Sequence, residues 1–182
     1  FTAPFAVYGG IVFMRDSEFV DSRAIDGINF KYVEVDVEGV LVRGSDDDAF
    51  DCDFCTGKIL RSEIQRAGGD GFDFSGSDIL VRDSVVKVCG DKGFSIGEAT
   101  RAELQDNRVE DCYTGIAVKD LSRAEIMGGS LSRTDIGVSL YIKKPTFGPS
   151  WARVRGLELR DVATDFMKED GSTLEWKGRA GA

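Results

Sequence analysis

The chain has 182 residues, 42% of them apolar and 30% charged, so it can bury a core and does not have a disordered composition. It contains no histidine, which excludes a His general base, a His-containing triad and most zinc sites. No apolar run reaches the roughly 18 residues of a membrane span, and the opening residues carry no signal or transit pattern.

The net charge is −9, and the deficit lies wholly in the first half: residues 1–91 carry 18 acids and 9 bases, residues 92–182 carry 14 of each. Such a surface repels nucleic acid and anionic membrane and attracts cations, so neither nucleic-acid binding nor membrane insertion is expected.

Taken in chain order, the elements repeat. Asp26-Gly27-Ile28-Asn29-Phe30 returns as Asp48-Ala49-Phe50-Asp51-Cys52, Asp70-Gly71-Phe72-Asp73-Phe74, Lys92-Gly93-Phe94-Ser95-Ile96, Thr114-Gly115-Ile116-Ala117-Val118 and Ile136-Gly137-Val138-Ser139-Leu140. The small residue falls at 27, 49, 71, 93, 115 and 137, 22 residues apart each time. A seventh copy, Asp165-Phe166-Met167, comes six residues late, after an insertion around Lys143 to Ser150. Pro4-Phe5-Ala6-Val7 reads as a partial copy at the start.

Apolar residues alternate within each copy, which is strand periodicity. The columns beginning at Ile28 and Phe30 therefore point one way, and Asn29, Asp51, Asp73, Ser95, Ala117 and Ser139 point the other. A second alternating segment follows in each repeat, as in Ile79-Leu80-Val81-Arg82.

Short strands joined by Gly, Asp, Asn and Ser describe a chain wound on itself. The expected fold is all-β: a parallel β-helix of about seven coils, stacked roughly 4.8 Å apart with the Phe column inside. A leucine-rich solenoid shares the period but needs Leu at fixed places and one strand per repeat, and does not fit. The chain reads as one domain, 1–182, with an inserted loop at 143–150 and a flexible tail at 177–182. It opens at Phe1 in mid-coil without a capping helix, so further coils, a partner domain or a mate are expected over that end, and end-to-end self-association is one such arrangement. Leu174-Glu175-Trp176 reads as a small cap.

Certain segments carry a family likeness. The run Ser45-Asp46-Asp47-Asp48-Ala49-Phe50-Asp51-Cys52-Asp53-Phe54-Cys55-Thr56-Gly57 resembles right-handed, single-stranded parallel β-helix proteins of the pectate-lyase-like superfamily. So do Gly69-Asp70-Gly71-Phe72-Asp73-Phe74, Gly90-Asp91-Lys92-Gly93-Phe94-Ser95 and Gly115-Ile116-Ala117-Val118-Lys119-Asp120. The segments are similar in particular to bacterial β-helix proteins joined to, or encoded near, spore-coat-kinase-like proteins. The likeness implies an extracellular or cell-surface location and, as partner, a polysaccharide or an adjacent domain of the parent protein. The superfamily includes lyases, hydrolases, epimerases and adhesins, and fold alone does not choose among them.

The outward positions of the Gly-bearing strands are the candidate site. Asp48, Asp51 and Asp53 lie on one rung, Asp70 and Asp73 on the next, and Asp91 with Glu98 beside the third. Stacked like charges repel unless something offsets them. A bound Ca²⁺ would do so, with these seven residues as the ligand pool; the alternative is a solvated acidic face. Asp51 and Asp73, about one rung apart, have the spacing of a retaining glycosidase, but the superfamily's hydrolases and epimerases place a histidine nearby and this chain has none.

A lyase needs no histidine. The superfamily's lyases combine Ca²⁺ with a Lys or Arg that removes a proton beside a carboxylate, which makes Lys92, Lys119 and Asp73 the catalytic candidates. Neighbouring carboxylates would raise a lysine's pKa, so ion pairing of Lys92 and Lys119 with Asp70, Asp91, Glu98 or Asp120 is the favoured expectation.

In the insertion, Lys143, Lys144, Phe147 and Trp151 suit the pairing and stacking of an acidic sugar; alternatively Phe147 or Trp151 folds back over the coil. Asp51 and Asp70 join this ligand-binding set. Cys52 and Cys55 read as core, while Cys89 and Cys112, in similar turn slots, either stack as thiols or form a cross-rung disulfide. Two functions follow: a module that binds polysaccharide or a partner domain through an acidic, Ca²⁺-loaded face, which the sequence favours, or a Ca²⁺-assisted lyase acting on a uronic-acid polymer.

Overall fold

The computed structural model describes residues 3–177. They contain seventeen strands, from Phe5–Arg15 to Thr173–Lys177, and no helix, so no helix is present that could cross a membrane. The strands pair in parallel, and the registers join Phe5, Ile28, Phe50, Phe72, Phe94, Ile116, Val138 and Phe166 into one column. That column has one member per coil and gives about eight coils. The partial copy at the start is a register partner of the second coil from Phe5 onward, which is why the count exceeds the seven expected.

Each coil has three sides. Face A carries the Gly-bearing strands, such as Phe50–Asp53 and Phe72–Ser75. Face B carries Thr56–Leu60, Asp78–Arg82 and their successors; face C carries Glu63–Ala67 and its stack. Val85–Gly97, Arg108–Lys119 and Ser130–Tyr141 are long because they bend from face C into face A without a break in strand.

The interior is the alternating apolar set. Ile28, Phe50, Phe72, Phe94, Phe30, Cys52, Phe74 and Ile96 are fully buried. The Phe rings form a continuous pile: Phe30–Phe50, Phe50–Phe72 and Phe72–Phe94 centroids lie 5.5, 5.6 and 5.2 Å apart. Each buried ring contributes about 1.5–3 kcal/mol of burial, plus an aromatic contact with the coil on either side.

The repeated small residue has a steric cause. At Gly93, a Cβ would lie 2.4 Å from Val109 Cγ1 and 2.7 Å from the Gly115 carbonyl oxygen; Gly71 and Gly115 meet the same crowding from Val86 and Leu131. In the middle coils the corner between faces C and A leaves no room for a methyl at Gly71, Gly93 and Gly115, whereas Ala49 in the third coil and Asp165 in the last hold the same slot. The other corners are fixed by hydroxyl and amide ladders. The N–H of Val40 donates to Ser62 Oγ, that of Ser62 to Ser84 Oγ, and that of Ser84 to Asn107 Oδ1. At the corner between A and B, Cys55 N–H donates to Ser77 Oγ and Ser77 N–H to Thr100 Oγ1. Buried backbone donors that would otherwise be orphaned are satisfied one coil on.

Two expectations are corrected. Leu174-Glu175-Trp176 is not a cap: it belongs to the strand Thr173–Lys177, which pairs with Trp151–Arg155 and continues face B. Lys177 is in that strand, so it is not part of a tail; the rest of the expected tail, 178–182, lies outside the described residues. Cys89 and Cys112 form a disulfide between the fourth and fifth coils, whereas Cys52 and Cys55 are buried free thiols.

Candidate functional site

The outward side of face A has three columns. The first runs Asp26, Asp48, Asp70, Lys92, Thr114, each residue just before the tight corner. The second runs Asn29, Asp51, Asp73, Ser95, Ala117, Ser139; the third Lys31, Asp53, Ser75, Gly97, Lys119, Tyr141. Strand alternation puts the second and third columns on the side away from the core; the first lies at the corner just before them, where bonds to the next coil hold its carboxylates.

The first column is a ladder. Asp48 Oδ1 accepts the N–H of Asp70 at 2.6 Å, and Asp70 Oδ1 accepts the N–H of Lys92 at 3.0 Å. Each carboxylate thus closes a backbone donor one coil on. Lys92 ends the ladder: its Nζ is 3.2 Å from Asp70 Oδ1 and also bonds Asp91. Burial works to lower the Lys92 pKa, but the bond to Asp91 and the charges of Asp70 and Asp91 outweigh it, and the ammonium is held above its ordinary range.

Beyond the ladder, carboxylate oxygens converge. One oxygen each from Asp48, Asp70 and Asp73 lies within 4.8 Å of the others. Burial, with repulsion from Asp70 and Asp73, pushes the Asp48 carboxyl up to about 7 despite the Asp70 N–H. Burial raises Asp73 as well, against the attraction of Lys119. Asp73 Oδ1 and Ser95 Oγ are buried without a partner of hydrogen-bond geometry, although the two side chains are neighbours.

The seven-residue ligand pool is therefore narrower than expected. Asp51 turns to Asn29 Nδ2 at 2.5 Å, and burial with surrounding carboxylates pushes it up to about 8. Asp26, also bonded to Asn29, is pushed by burial up to about 6. Asp53 pairs with Lys31 at 3.0 Å, Asp91 with Lys92, and Glu98 with Lys144.

Lys119 departs from the expected ion pairing. Its side chain is 94% covered, since its residue exposure is 6%, and no carboxylate comes within 4 Å of its Nζ among the described residues. Its stem lies over Gly97, where a Cβ would come 2.9 Å from Lys119 Cε. Burial lowers its pKa, Asp73 opposes, and Lys92 and Lys143 add to the lowering. Tyr141, next in the column, is half-buried beside Lys92; burial raises its phenol. Sequence reasoning missed Tyr141, although its place two residues after Ser139 put it in the Lys119 column.

The insertion folds over the corner between A and B. Asp120, almost fully buried, accepts the backbone N–H groups of Lys143 and Lys144 at 2.7 Å each. Lys144 reaches Glu98 two coils away, Lys143 is exposed and Phe147 is half-buried.

Known proteins support this architecture. The model of the right-handed β-helix region matches residues 10–148. The chain belongs to the right-handed β-helix family. No curated protein matches it. Among solved structures it is similar to an alginate lyase from Paenibacillus sp. str. FPU-7, with a TM-score of 0.52 and 11% identity over 96% of this chain and 76% of the lyase. At that identity the likeness is one of fold.

In this β-helix, Trp151 stands apart from face A. It lies on face B, in a groove of about 690 Å³ shared with Arg101, Glu103, Arg123 and Arg153. Arg153 pairs with Glu125 and Glu175, Trp151 Nε1 donates to Glu175, and the Arg123 and Arg153 guanidiniums sit 5.5 and 5.0 Å from the indole. Arg153 is thus paired with carboxylates on both sides, while Arg101 and Arg123 of the groove join no ion pair among the described residues; the orphaned oxygen and the buried, unpaired lysine are on face A. Trp151 is thus removed from the binding set that includes Lys143 and Lys144.

Proposed function

We propose that face A binds an anionic polysaccharide, with a divalent cation such as Ca²⁺ held by Asp48, Asp70 and Asp73 bridging to its carboxylates. The observation that carries this reading is the convergence of three carboxylate oxygens within 4.8 Å, with Asp73 Oδ1 left unpartnered. Hard oxygens at that spacing suit a hard cation, and a cation offsets the repulsion that raises Asp48 and Asp73. Lys143 and Lys144, at the rim, add donors for sugar carboxylates. The Cys89–Cys112 disulfide supports an exported or cell-surface setting, where oxidising conditions preserve it. The alginate lyase of similar fold makes a uronic-acid polymer the first ligand to try.

Calorimetric titration with Ca²⁺ tests the cation. Binding, with a rise in Tm of several degrees that Asp73→Asn abolishes, is the expected result; no heat and no shift in Tm rejects the site. Retardation in gels cast with alginate or pectate tests the polysaccharide.

One observation favours a second reading, a β-eliminating lyase. Lys119 is buried, unpaired and lowered in pKa beside Asp73, the condition in which a lysine can act as a base. It would take the C5 proton beside a uronate carboxylate while the C4–O glycosidic bond breaks and a C4=C5 double bond forms, the departing oxygen taking a proton from water. Ultraviolet absorbance from unsaturated ends, lost in Lys119→Ala, would establish this activity; its absence leaves face A a binding surface.

A further inference from the structure

We propose that Tyr32 and Phe54 form a stacking platform for pyranose rings of a polysaccharide lying along face A. This rests on the glycan reading above and adds the place where the chain is gripped and the sugar face that is presented.

The two rings stand at the corner between faces A and B, directly after Lys31 and Asp53 on adjacent coils. Their planes are 10° apart with centroids at 5.0 Å, and they are 62% and 43% exposed. Neither belongs to the hydrophobic core. Both residues have left-handed backbone, φ 55° and 53°, which bulky side chains adopt only when the surroundings impose it. Gly76 fills the same corner slot in the next coil, with φ 61°. Glu98 and Asp120 hold the same slot in the following coils with φ 57° and 56°, so the turn accepts varied residues and does not itself call for aromatic rings.

The neighbours shape the platform. A Cβ on Gly76 would lie 2.6 Å from the Phe54 ring, so the missing side chain seats one face of Phe54. Gly9 stands opposite Tyr32, between the pairs Tyr8–Lys31 and Gly10–Val33, and the space beside it is open. Among the described residues nothing fills the space on that side of Tyr32, in keeping with its exposure. Lys31 Nζ lies 5.8 and 5.6 Å from the two centroids and 3.0 Å from Asp53. A pyranose offers an apolar face of C–H groups rimmed by hydroxyls. An exposed aromatic face bordered by one ammonium and one carboxylate meets both parts of that ligand.

The test uses hexamannuronate, hexaguluronate and cellohexaose, titrated by calorimetry in Ca²⁺-containing buffer into the whole chain and the Tyr32→Gly/Phe54→Gly variant, with NMR of the bound sugar. The expected result is that at least one hexasaccharide binds the native chain, with upfield ring-current shifts of its C–H protons. The glycine variant should bind at least tenfold more weakly while its Tm is unchanged or raised, because the strain is gone. Affinity kept within twofold, or no ring-current shift in the native complex, overturns the platform and leaves the glycan reading standing. Failure of all three sugars to bind the native chain overturns the glycan reading and the platform with it. If the variant does not fold, the ring-current shifts in the native complex decide.

Discussion

At the residue scale, the face A aspartates set the pH response. Burial leads the causes that raise Asp26, Asp48 and Asp51 to about 6, 7 and 8. Between their ordinary value of 3.8 and these values, the folded state holds protons that the unfolded chain has lost. Their contribution to stability therefore falls as pH rises through that window. Tm is expected to be higher at about pH 5 than at about pH 8, and Ca²⁺ should recover part of the difference at the higher pH. Asp51→Asn should raise Tm at about pH 8 by about 2–4 °C, the equivalent of about 1 kcal/mol, and flatten the profile. Thermal melts across pH, with and without Ca²⁺, check both. Lys119→Met keeps the stem over Gly97 and removes a buried, unpaired charge, so its Tm should be unchanged or higher. A fall of several degrees in the same melts would mean that the ammonium has a structural partner.

At the element scale, the corner decides what each strand can do. Gly93 approaches both the next coil's carbonyl and Val109, so Gly93→Ala forces the corner apart and should cost about 1–3 kcal/mol in a urea titration. The same substitution is already present at position 49, where Ala49 is the natural residue, so the 22-residue period alone does not separate tolerant corners from crowded ones. The inward columns were legible in sequence because strand alternation is local. The ladder from Asp48 to Asp70 to Lys92 was not, because its hydrogen bonds join residues 22 apart, and their register is visible only once the coils are stacked. Composition could not show that Lys119 avoids its acidic neighbours: the slot that holds its stem is the absent side chain of Gly97, one coil away.

At the scale of the whole molecule, each coil touches mainly the coils before and after it, so stability is close to a sum of neighbour terms. The core is fully buried in the middle coils, whereas Phe5, Val7 and Phe19 in the first and Leu159, Val162 and Phe166 toward the last are only partly buried. The Cys89–Cys112 bridge ties the fourth coil to the fifth across 23 residues. Reducing it should lower stability by about 3 kcal/mol in denaturant unfolding, with hydrogen exchange rising first in the two coils it joins.

The sequence by itself determined the winding of the chain, its period, the Phe pile and the acidic outer face. These follow from local alternation and from the identity of residues at a fixed interval. Tertiary structure alone decided which of seven acids meet, that Lys119 stands unpaired, that Trp151 belongs to another face, and that Tyr32 and Phe54 share a corner. The physical reason is that side-chain direction at a corner, and burial across neighbouring coils, depend on backbone angles and on what the adjacent coil leaves empty.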